Sequence, residues 1–276
     1  MDEGKEMAKP RISVGIDVGS ECIKVAVVDE QGLLRGSSVV ARRGYFQDRV
    51  AEAFPVALDD AQVQPEDVLG ICATGFAENC VPMATTFKGE TVCHALGAFH
   101  HHPGAMCLVD IGGREPKVIT VNEKGHPTSI LTLRRCATGI GTFLIFAARH
   151  LDVHPSHMQE LAARTDEGCD VGSYCSLFSG QEILEKLREG VSREALALGC
   201  INSIADRVIE IGWSSDKVFV TGGVAEYFPG VLSAIATKSG SQVSAVPQPI
   251  LAGALGAALW VFKEKNIPLC KQGESQ

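Results

Sequence analysis

The chain has 276 residues, and 25 basic against 33 acidic side chains give it a formal charge of −8 at pH 7. At about 150 residues per domain, this length predicts two domains or one unit with two lobes. The acidic balance argues against a surface that wraps nucleic acid, which needs clustered Lys and Arg. No apolar run approaches the length of a membrane span, and the polar N-terminus lacks a signal-peptide pattern. We therefore expect a cytoplasmic protein with no nucleic-acid or membrane partner.

Apolar periodicity divides the chain into alternating strands and helices, the pattern of α/β proteins. Beyond two strand–turn–strand units, single strands are predicted at 68–74, 217–221 and 242–246. Helices are predicted at 47–62, 90–100, 141–150, 155–164, 181–189, 193–211, 229–238 and 252–263. We expect a disordered start over 1–10, a first lobe over 11–104, a second lobe over 105–266 and a tail over 267–276.

One short motif occurs twice in the chain. Asp17 to Lys24 and Asp110 to Lys117 both read Asp-[Val/Ile]-Gly-x4-Lys, with β-branched segments on either side. Such flanks predict two strands joined by a tight turn. Asp-x-Gly is common at turns, but the shared spacing and flanks favour a duplicated domain over a chance repeat.

The first of these turns has the composition of a phosphate site. Backbone N–H groups in a tight turn form a concavity that binds anions. Gly19 permits close approach of the backbone, Ser20 supplies a hydroxyl and Lys24 supplies a cation. Asp17 and Asp110 stand at matching strand ends, where carboxylates can hold a hydrated Mg²⁺ that bridges phosphates.

Two further glycine turns complete the set. Gly112 and Gly113 follow the second aspartate, and Gly222 and Gly223 lie between a predicted strand and a helix whose N-terminus favours negative charge. The usual rival motifs are absent, since the chain has no G-x-x-x-x-G-K-[ST] and no complete G-x-G-x-x-G. Three glycine turns in a duplicated α/β chain therefore predict a phosphate-binding cleft.

Ten cysteines are spread along the sequence. The closest two are six residues apart and no Cys-x-x-Cys occurs, which excludes a zinc ribbon or a local ferredoxin loop. Without a secretory signal a disulfide framework is not expected. We interpret most of these cysteines as small buried apolar residues.

The order of two phosphate hairpins and a late Thr-Gly-Gly turn resembles the superfold of acetate kinase, sugar kinases, Hsp70 and actin. Within it, the chain resembles the ATPase activators of 2-hydroxyacyl-CoA dehydratases and the ATPase subunits of benzoyl-CoA reductase. The similarity extends over about residues 12–263. It rests on GIDVGS (15–20), ETVCHALGA (90–98), VDIGG (109–113), CATGIG (136–141), YCSLF (174–178), VFVTGGVA (218–225) and LAGALGAALW (251–260). The resemblance implies a duplicated actin-like ATPase fold of the ribonuclease H-like type, with a nucleotide cleft between two lobes.

The resemblance also implies cofactors and partners. Family members bind ATP with Mg²⁺ and carry one [4Fe–4S] cluster between two identical subunits. The matching segments make Cys136 and Cys175, in a helical insertion of the second lobe, this chain's ligands. Two thiolates from each subunit supply the four that the cluster needs, and helices predicted after both cysteines favour its negative charge. The implied protein receives electrons from ferredoxin or flavodoxin and passes them, at low potential, to a partner iron–sulfur dehydratase or reductase.

The catalytic candidates are Asp17, Asp110 and Glu90. The family places Glu90 near the nucleotide, although an ordinary acid in the first turn of a helix would look the same. A small-molecule kinase of the same superfold, acting on a sugar or an acyl group, is the alternative function, with Asp110 as its base. A non-catalytic, ATP-dependent assembly protein is a third interpretation.

Three segments depart from the family pattern. Arg114-Glu115-Pro116 stands where Gln-Asp is common, and Thr142 begins a segment where the family has Arg-Phe-Leu-Glu. Ser179 to Glu182 replaces Ala-Glu-Ser-Glu after the second cysteine. These departures indicate a divergent member.

Overall fold

The described part of the chain contains two five-stranded mixed sheets, each covered by helices. The computed structural model describes residues 10–133, 139–173 and 176–269. None of the helices within these ranges combines the length and the apolar character that a bilayer crossing needs.

The first sheet is built from an early hairpin and later parallel strands. This part of the chain contains β1 (Ile12–Val18), β2 (Cys22–Asp29), β3 (Leu34–Ala41), α1 (Phe46–Ala61), β4 (Val68–Thr74), β5 (Thr86–Phe87) and α2 (Glu90–His101). The strand order is β3-β2-β1-β4-β5, with β1 antiparallel to β2 and parallel to β4. Every residue of β1 is buried, as expected for a central strand covered on both faces.

The second sheet repeats this arrangement. Its part of the chain contains β6 (Met106–Asp110), β7 (Lys117–Val121), β8 (Pro127–Thr132), α3 (Ile140–His150), α4 (Met158–Ala162), α5 (Ser176–Arg188), α6 (Arg193–Ile209), β9 (Lys217–Thr221), α7 (Gly223–Tyr227), α8 (Pro229–Ser239), β10 (Gln242–Ala245) and α9 (Ala252–Glu264). The strand order is β10-β9-β6-β7-β8, with β6 antiparallel to β7 and parallel to β9. The same hairpin-plus-parallel-strand pattern in both sheets confirms the predicted duplication.

The two halves exchange one helix each. Ala95 and Ala98 of α2 pack into the core of the second sheet, whereas α9 packs on β1, β2 and β4 of the first. The two helices also touch each other, and a Cβ at Gly256 would lie 1.8 Å from the carbonyl oxygen of Cys93. By their packing, α2 belongs with the second lobe and α9 with the first. The boundaries predicted from sequence, 11–104 and 105–266, place α2 in the first lobe and α9 in the second.

Most predicted elements agree with the structure, and the differences have physical reasons. The strands at 68–74 and 217–221 have the predicted bounds, and α5 begins at Ser176, five residues before its predicted start. Strand β3 was not predicted because Gly36 and two serines interrupt its pattern. Gly36 is needed there for packing, since a Cβ would lie 2.4 Å from the backbone nitrogen of Ala61 in α1. Edge strand β8 was missed because it is largely exposed and begins with proline.

Candidate functional site

A cavity of about 640 Å³ lies between the two sheets, at the ends of their central strands. Its volume is typical of sites for small ligands. The ten described residues that the sequence predicts for nucleotide, Mg²⁺ or catalysis all line it: Asp17, Gly19, Ser20, Lys24, Glu90, Asp110, Gly112, Gly113, Gly222 and Gly223. The two predicted cluster ligands, Cys136 and Cys175, lie outside the described residues.

The two hairpins place an aspartate and a lysine directly opposite each other. Asp17 pairs with Lys24 across β1 and β2, and Asp110 pairs with Lys117 across β6 and β7. Opposite residues share one face of an antiparallel pair. In the first hairpin, Lys24 Nζ donates to Asp17 Oδ2 at 3.0 Å. In the second, the Lys117 ammonium bonds instead to the carboxylate of Glu90, which α2 brings to the cavity.

A Thr-Gly pair beside each aspartate extends the repeat. Thr74 lies opposite Asp17 on β4, and Thr221 lies opposite Asp110 on β9. Gly75 and Gly222, the residues that follow, have φ angles of +95° and +98°. A Cβ on either glycine would lie within 2.8 Å of the Oδ1 of its aspartate. Sequence reasoning missed the first pair, although a Thr-Gly after a buried strand in both halves was the available indication.

Burial and charge make the two aspartates suited to a cation. Asp17 is 2% exposed, and its Oδ1 has no hydrogen-bond partner among the described residues. Burial also raises the pKa of Asp110 above its ordinary value. An orphaned buried carboxylate oxygen is costly unless a cation or donor satisfies it. Burial alone would lower the pKa of Lys24, but the Asp17 carboxylate outweighs it and the pKa is raised.

A buried histidine in the lining of the cavity was not predicted. His94 Nδ1 lies 3.0 Å from Thr221 Oγ1 and 3.5 Å from Asp110 Oδ1. Its spacing of four residues from Glu90 places both side chains on one face of α2. Within the described part of the chain, Glu90, His94 and Asp110 form the one group of three acidic, His or Cys side chains close enough to share a metal ion. Burial would raise the pKa of Glu90, but His94 and Lys117 outweigh it and the pKa is lowered.

The cavity lining combines polar and apolar side chains. Its aromatic and aliphatic members include Ile145, Val224, Tyr227, Phe228 and Ile250. Burial, with the nearby Cys22 thiol, raises the pKa of the Tyr227 hydroxyl, so this side chain remains neutral. The arrangement suits a ligand with a flat apolar portion and an anionic tail.

Helix α3 starts on the second glycine turn. The backbone N–H of Ile140 donates to the carbonyl of Arg114 at 3.0 Å, and that of Thr142 donates to the carbonyl of Gly113 at 3.2 Å. Gly139 has a φ of +84°, and a Cβ there would lie 2.4 Å from the carbonyl oxygen of Gly113. Backbone hydrogen bonds and close packing therefore join the glycine turn to the first turn of α3.

Relatives of the chain match it over nearly its full length. It is 33% identical over 257 residues to the (R)-2-hydroxyglutaryl-CoA dehydratase activating ATPase of Acidaminococcus fermentans, covering 91% of this chain and 97% of the relative. It is 28% identical over 280 residues to one of the subunits of benzoyl-CoA reductase from Thauera aromatica, covering 96% and 98% of the two chains.

Solved structures have the same fold. The activator of 2-hydroxyisocaproyl-CoA dehydratase from Clostridium difficile, with bound ADPNP, superposes with a TM-score of 0.86 at 26% identity, covering 92% and 96% of the two chains. A ROK family glucokinase from Streptomyces griseus has a TM-score of 0.56 at 17% identity over 90% and 98%, a likeness of fold alone. These matches confirm the actin-like, sugar-kinase-type fold with two lobes. The model of the BadF/BadG/BcrA/BcrD ATPase family matches residues 14–261, and the chain belongs to that family.

Proposed function

We propose that this ATPase is a cytoplasmic, homodimeric activator that donates single electrons at low potential to a partner enzyme. The partner is an acyl-CoA dehydratase or an aromatic acyl-CoA reductase that itself contains an iron–sulfur cluster. The observation that carries the proposal is the bonding of α3 to Gly113 and Arg114, because it links the nucleotide cavity to the segment that begins at Cys136. The names of the relatives, an activating ATPase and a component of a reductase, supply the class of partner.

ATP binds between the lobes, with its phosphates against the glycine turns and the charged side chains of the cavity. Backbone N–H groups of the three glycine turns and the Lys24 ammonium hold the phosphates. Asp17 and Asp110 hold Mg²⁺, directly or through its waters, and the orphaned Oδ1 of Asp17 fits this role. The adenosine lies against the apolar side chains of the lining, among them Tyr227 and Ile250.

Glu90 orients the water that attacks the terminal phosphate. Its lowered pKa keeps it a carboxylate, so it accepts a hydrogen bond from water at neutral pH. Lys117 fixes the position of this carboxylate. When Mg²⁺ is bound, it neutralises charge that develops on the phosphate oxygens.

Cys136 and Cys175 of each subunit hold one [4Fe–4S] cluster across the dimer axis. Thiolates are the ligands that such clusters require, and α3 and α5 begin four residues and one residue after these cysteines. When bound, the cluster accepts one electron from reduced ferredoxin or flavodoxin and holds it for the partner enzyme. On α5, Phe178 is 71% exposed and Leu184 is 54% exposed. Exposed apolar side chains on the helix that follows Cys175 support the packing of a second subunit against α5.

Nucleotide turnover reaches the cluster segment through α3. Opening or closing of the lobes moves the second glycine turn, and α3 moves with it. Solvent exposure and hydrogen bonds to sulfur set the potential of a cluster. Such a movement therefore couples ATP to electron transfer.

The Cys136→Ala and Cys175→Ala variants test the ligand assignment. Each should lose the iron of the anaerobically purified protein and still bind a fluorescent ADP. Cys169→Ala is the matched control, since Cys169 lies six residues before Cys175 and its thiol is free. Full iron content in both variants would contradict the assignment. Phosphorylation of a sugar or an acyl substrate that survives both substitutions would favour the kinase interpretation.

A further inference from the structure

His94 occupies the meeting point of the two lobes. The side chain is only 4% exposed, on a helix that packs on the second sheet and also on α9. Its Nε2 faces Gly253 of α9, where a Cβ would lie 2.9 Å away. The same Cβ would lie 3.2 Å from Asp17 Oδ2, so Nε2 and this carboxylate oxygen both lie beside Gly253. The other nitrogen, Nδ1, is directed towards Asp110.

The hydrogen bonds of this group indicate which ring nitrogen of His94 carries a proton. Thr221 Oγ1 lies 3.4 Å from Asp110 Oδ1 and has a single hydroxyl proton to donate to it. If that proton serves the carboxylate, His94 Nδ1 must be the donor to Thr221 Oγ1 at 3.0 Å. This chain of hydrogen bonds, a relay from His94 through Thr221 to Asp110, then requires a proton on Nδ1.

This relay determines which oxygen of Asp110 can face a cation. Both His94 and Thr221 approach Oδ1, at 3.5 Å and 3.4 Å. Oδ2 is thereby left to serve Mg²⁺ or one of its waters. Groups that orient a metal-binding carboxylate contribute to activity without touching the metal.

We propose that His94 is a positioning residue, which holds Thr221 and Asp110 through Nδ1–H and so aligns the Mg²⁺-nucleotide for hydrolysis. This inference rests on the proposed role of Asp110 in the nucleotide site. A histidine that merely fills the core would tolerate any substitution of similar volume. A positioning histidine depends on which of its nitrogens the replacement reproduces.

Asparagine and glutamine distinguish the two ring nitrogens. The amide nitrogen of Asn is as many bonds from the backbone as Nδ1, whereas that of Gln reaches the distance of Nε2. We expect His94→Asn to keep kcat for ATP hydrolysis within about threefold, and His94→Gln and His94→Leu to lose roughly 10–100-fold. In all three variants, the Kd for ADP without Mg²⁺ should stay within about twofold of the wild-type value, since Asp110 does not touch the adenine ring. Equal losses in Asn and Gln variants, or no loss in His94→Leu, would overturn the proposal.

Two spectroscopic readouts do not depend on activity. ¹⁵N NMR of the full-length protein separates protonated from lone-pair ring nitrogens, and His94→Asn identifies the signals of His94. A proton on Nδ1 supports the relay, and a lone pair on Nδ1 contradicts it. Pulsed EPR of the Mn²⁺–ADP complex should show no directly coordinated histidine nitrogen, and such a coupling would make His94 a ligand instead. If the wild type hydrolyses no ATP, the proposed function fails, while these two readouts still decide the role of His94.

Discussion

Thr142 Oγ1 donates a hydrogen bond of 2.7 Å to Glu21 Oε1, and this bond joins α3 to the first glycine turn across the cleft. Beside it, a Cβ at Gly113 would lie 2.6 Å from Glu21 Cγ, so the two glycine turns are in direct contact. Nearby, the guanidinium carbon of Arg114 lies 4.5 Å from the centroid of the Phe76 ring, over its face. The contacts Thr142–Glu21 and Arg114–Phe76 together form an interlobe clasp.

Removing the Thr142 hydroxyl should accelerate the release of ADP. We expect nucleotide release to require separation of the lobes, and a hydrogen bond to a charged group stabilises the joined state by about 1.5–3 kcal/mol. We expect Thr142→Val to raise the dissociation rate of a fluorescent ADP about tenfold in stopped-flow displacement.

A double-mutant cycle with Glu21→Ala checks that the pair acts together. The double variant should release ADP little faster than either single variant, because each substitution removes the same bond. Thr128→Val is the control, since Thr128 bonds within its own hairpin on β8. Additive effects of the two substitutions, or an unchanged rate in Thr142→Val, would contradict the clasp.

Lys24→Met should weaken ATP binding by roughly 10–100-fold, because it removes a charge-assisted hydrogen bond to phosphate. Since the pKa of Lys24 is raised, wild-type affinity should not fall through loss of this charge between pH 7 and 9. Lys238→Met is the matched control, for it breaks an exposed ion pair with Asp206 and leaves the cavity unchanged. Calorimetric titration with ATP and Mg²⁺ measures both. Equal affinities for the two variants would exclude Lys24 from the site.

Gly222→Ala should destabilise the protein far more than Gly240→Ala. Both glycines have positive φ, but a Cβ at Gly222 would lie 2.4 Å from the carbonyl oxygen of Ile111, whereas Gly240 has open space around it. We expect a loss of about 1 kcal/mol for Gly240→Ala and at least about 3 kcal/mol for Gly222→Ala, because overpacking adds to the backbone strain. Urea unfolding measures the difference. Similar losses for both would show that the turn beside Asp110 can relax.

His101 should make the fold less stable in mild acid. Burial, with the neighbouring charges of His100 and His102, lowers its pKa to about 4, so the unfolded chain binds this proton more readily. Its contribution is therefore fully present above pH 6.5 and is lost as the pH falls from 6.5 towards 4. Between pH 6.5 and 4, we expect the free energy of unfolding of His101→Gln to fall by about 1–2 kcal/mol less than that of the wild type. This figure allows for solvent screening of a half-buried ring. Parallel curves of unfolding free energy against pH would contradict this.

The duplicated fold could be predicted from sequence because each hairpin is local. The spacing of aspartate, glycine and lysine within eight residues indicates one tight turn. Its recurrence later in the chain indicates the duplication. The exchange of α2 and α9 between the lobes could not be predicted, since it depends on close helix contact at Gly97 and Gly256 rather than on periodicity.

The candidate site was predictable only where its residues belong to glycine turns. His94 and Thr74 were missed because a buried polar residue on a helix or strand looks like core until its partners are known. Lys117 formed part of the repeat, but only the structure shows that it bonds to Glu90 rather than to the aspartate opposite it. Cys136 and Cys175 came from the family resemblance, since their spacing alone indicates no cluster.

The central claim is that two subunits share an iron–sulfur cluster controlled by ATP. Its most direct test is the iron and acid-labile sulfide content of protein purified without air, together with its visible spectrum and its mass in solution. The account predicts about four irons and four sulfides per dimer, since two thiolates from each subunit complete one cluster. A dimer or monomer without iron after anaerobic reconstitution would contradict it and leave an ATPase whose cysteines hold no cluster.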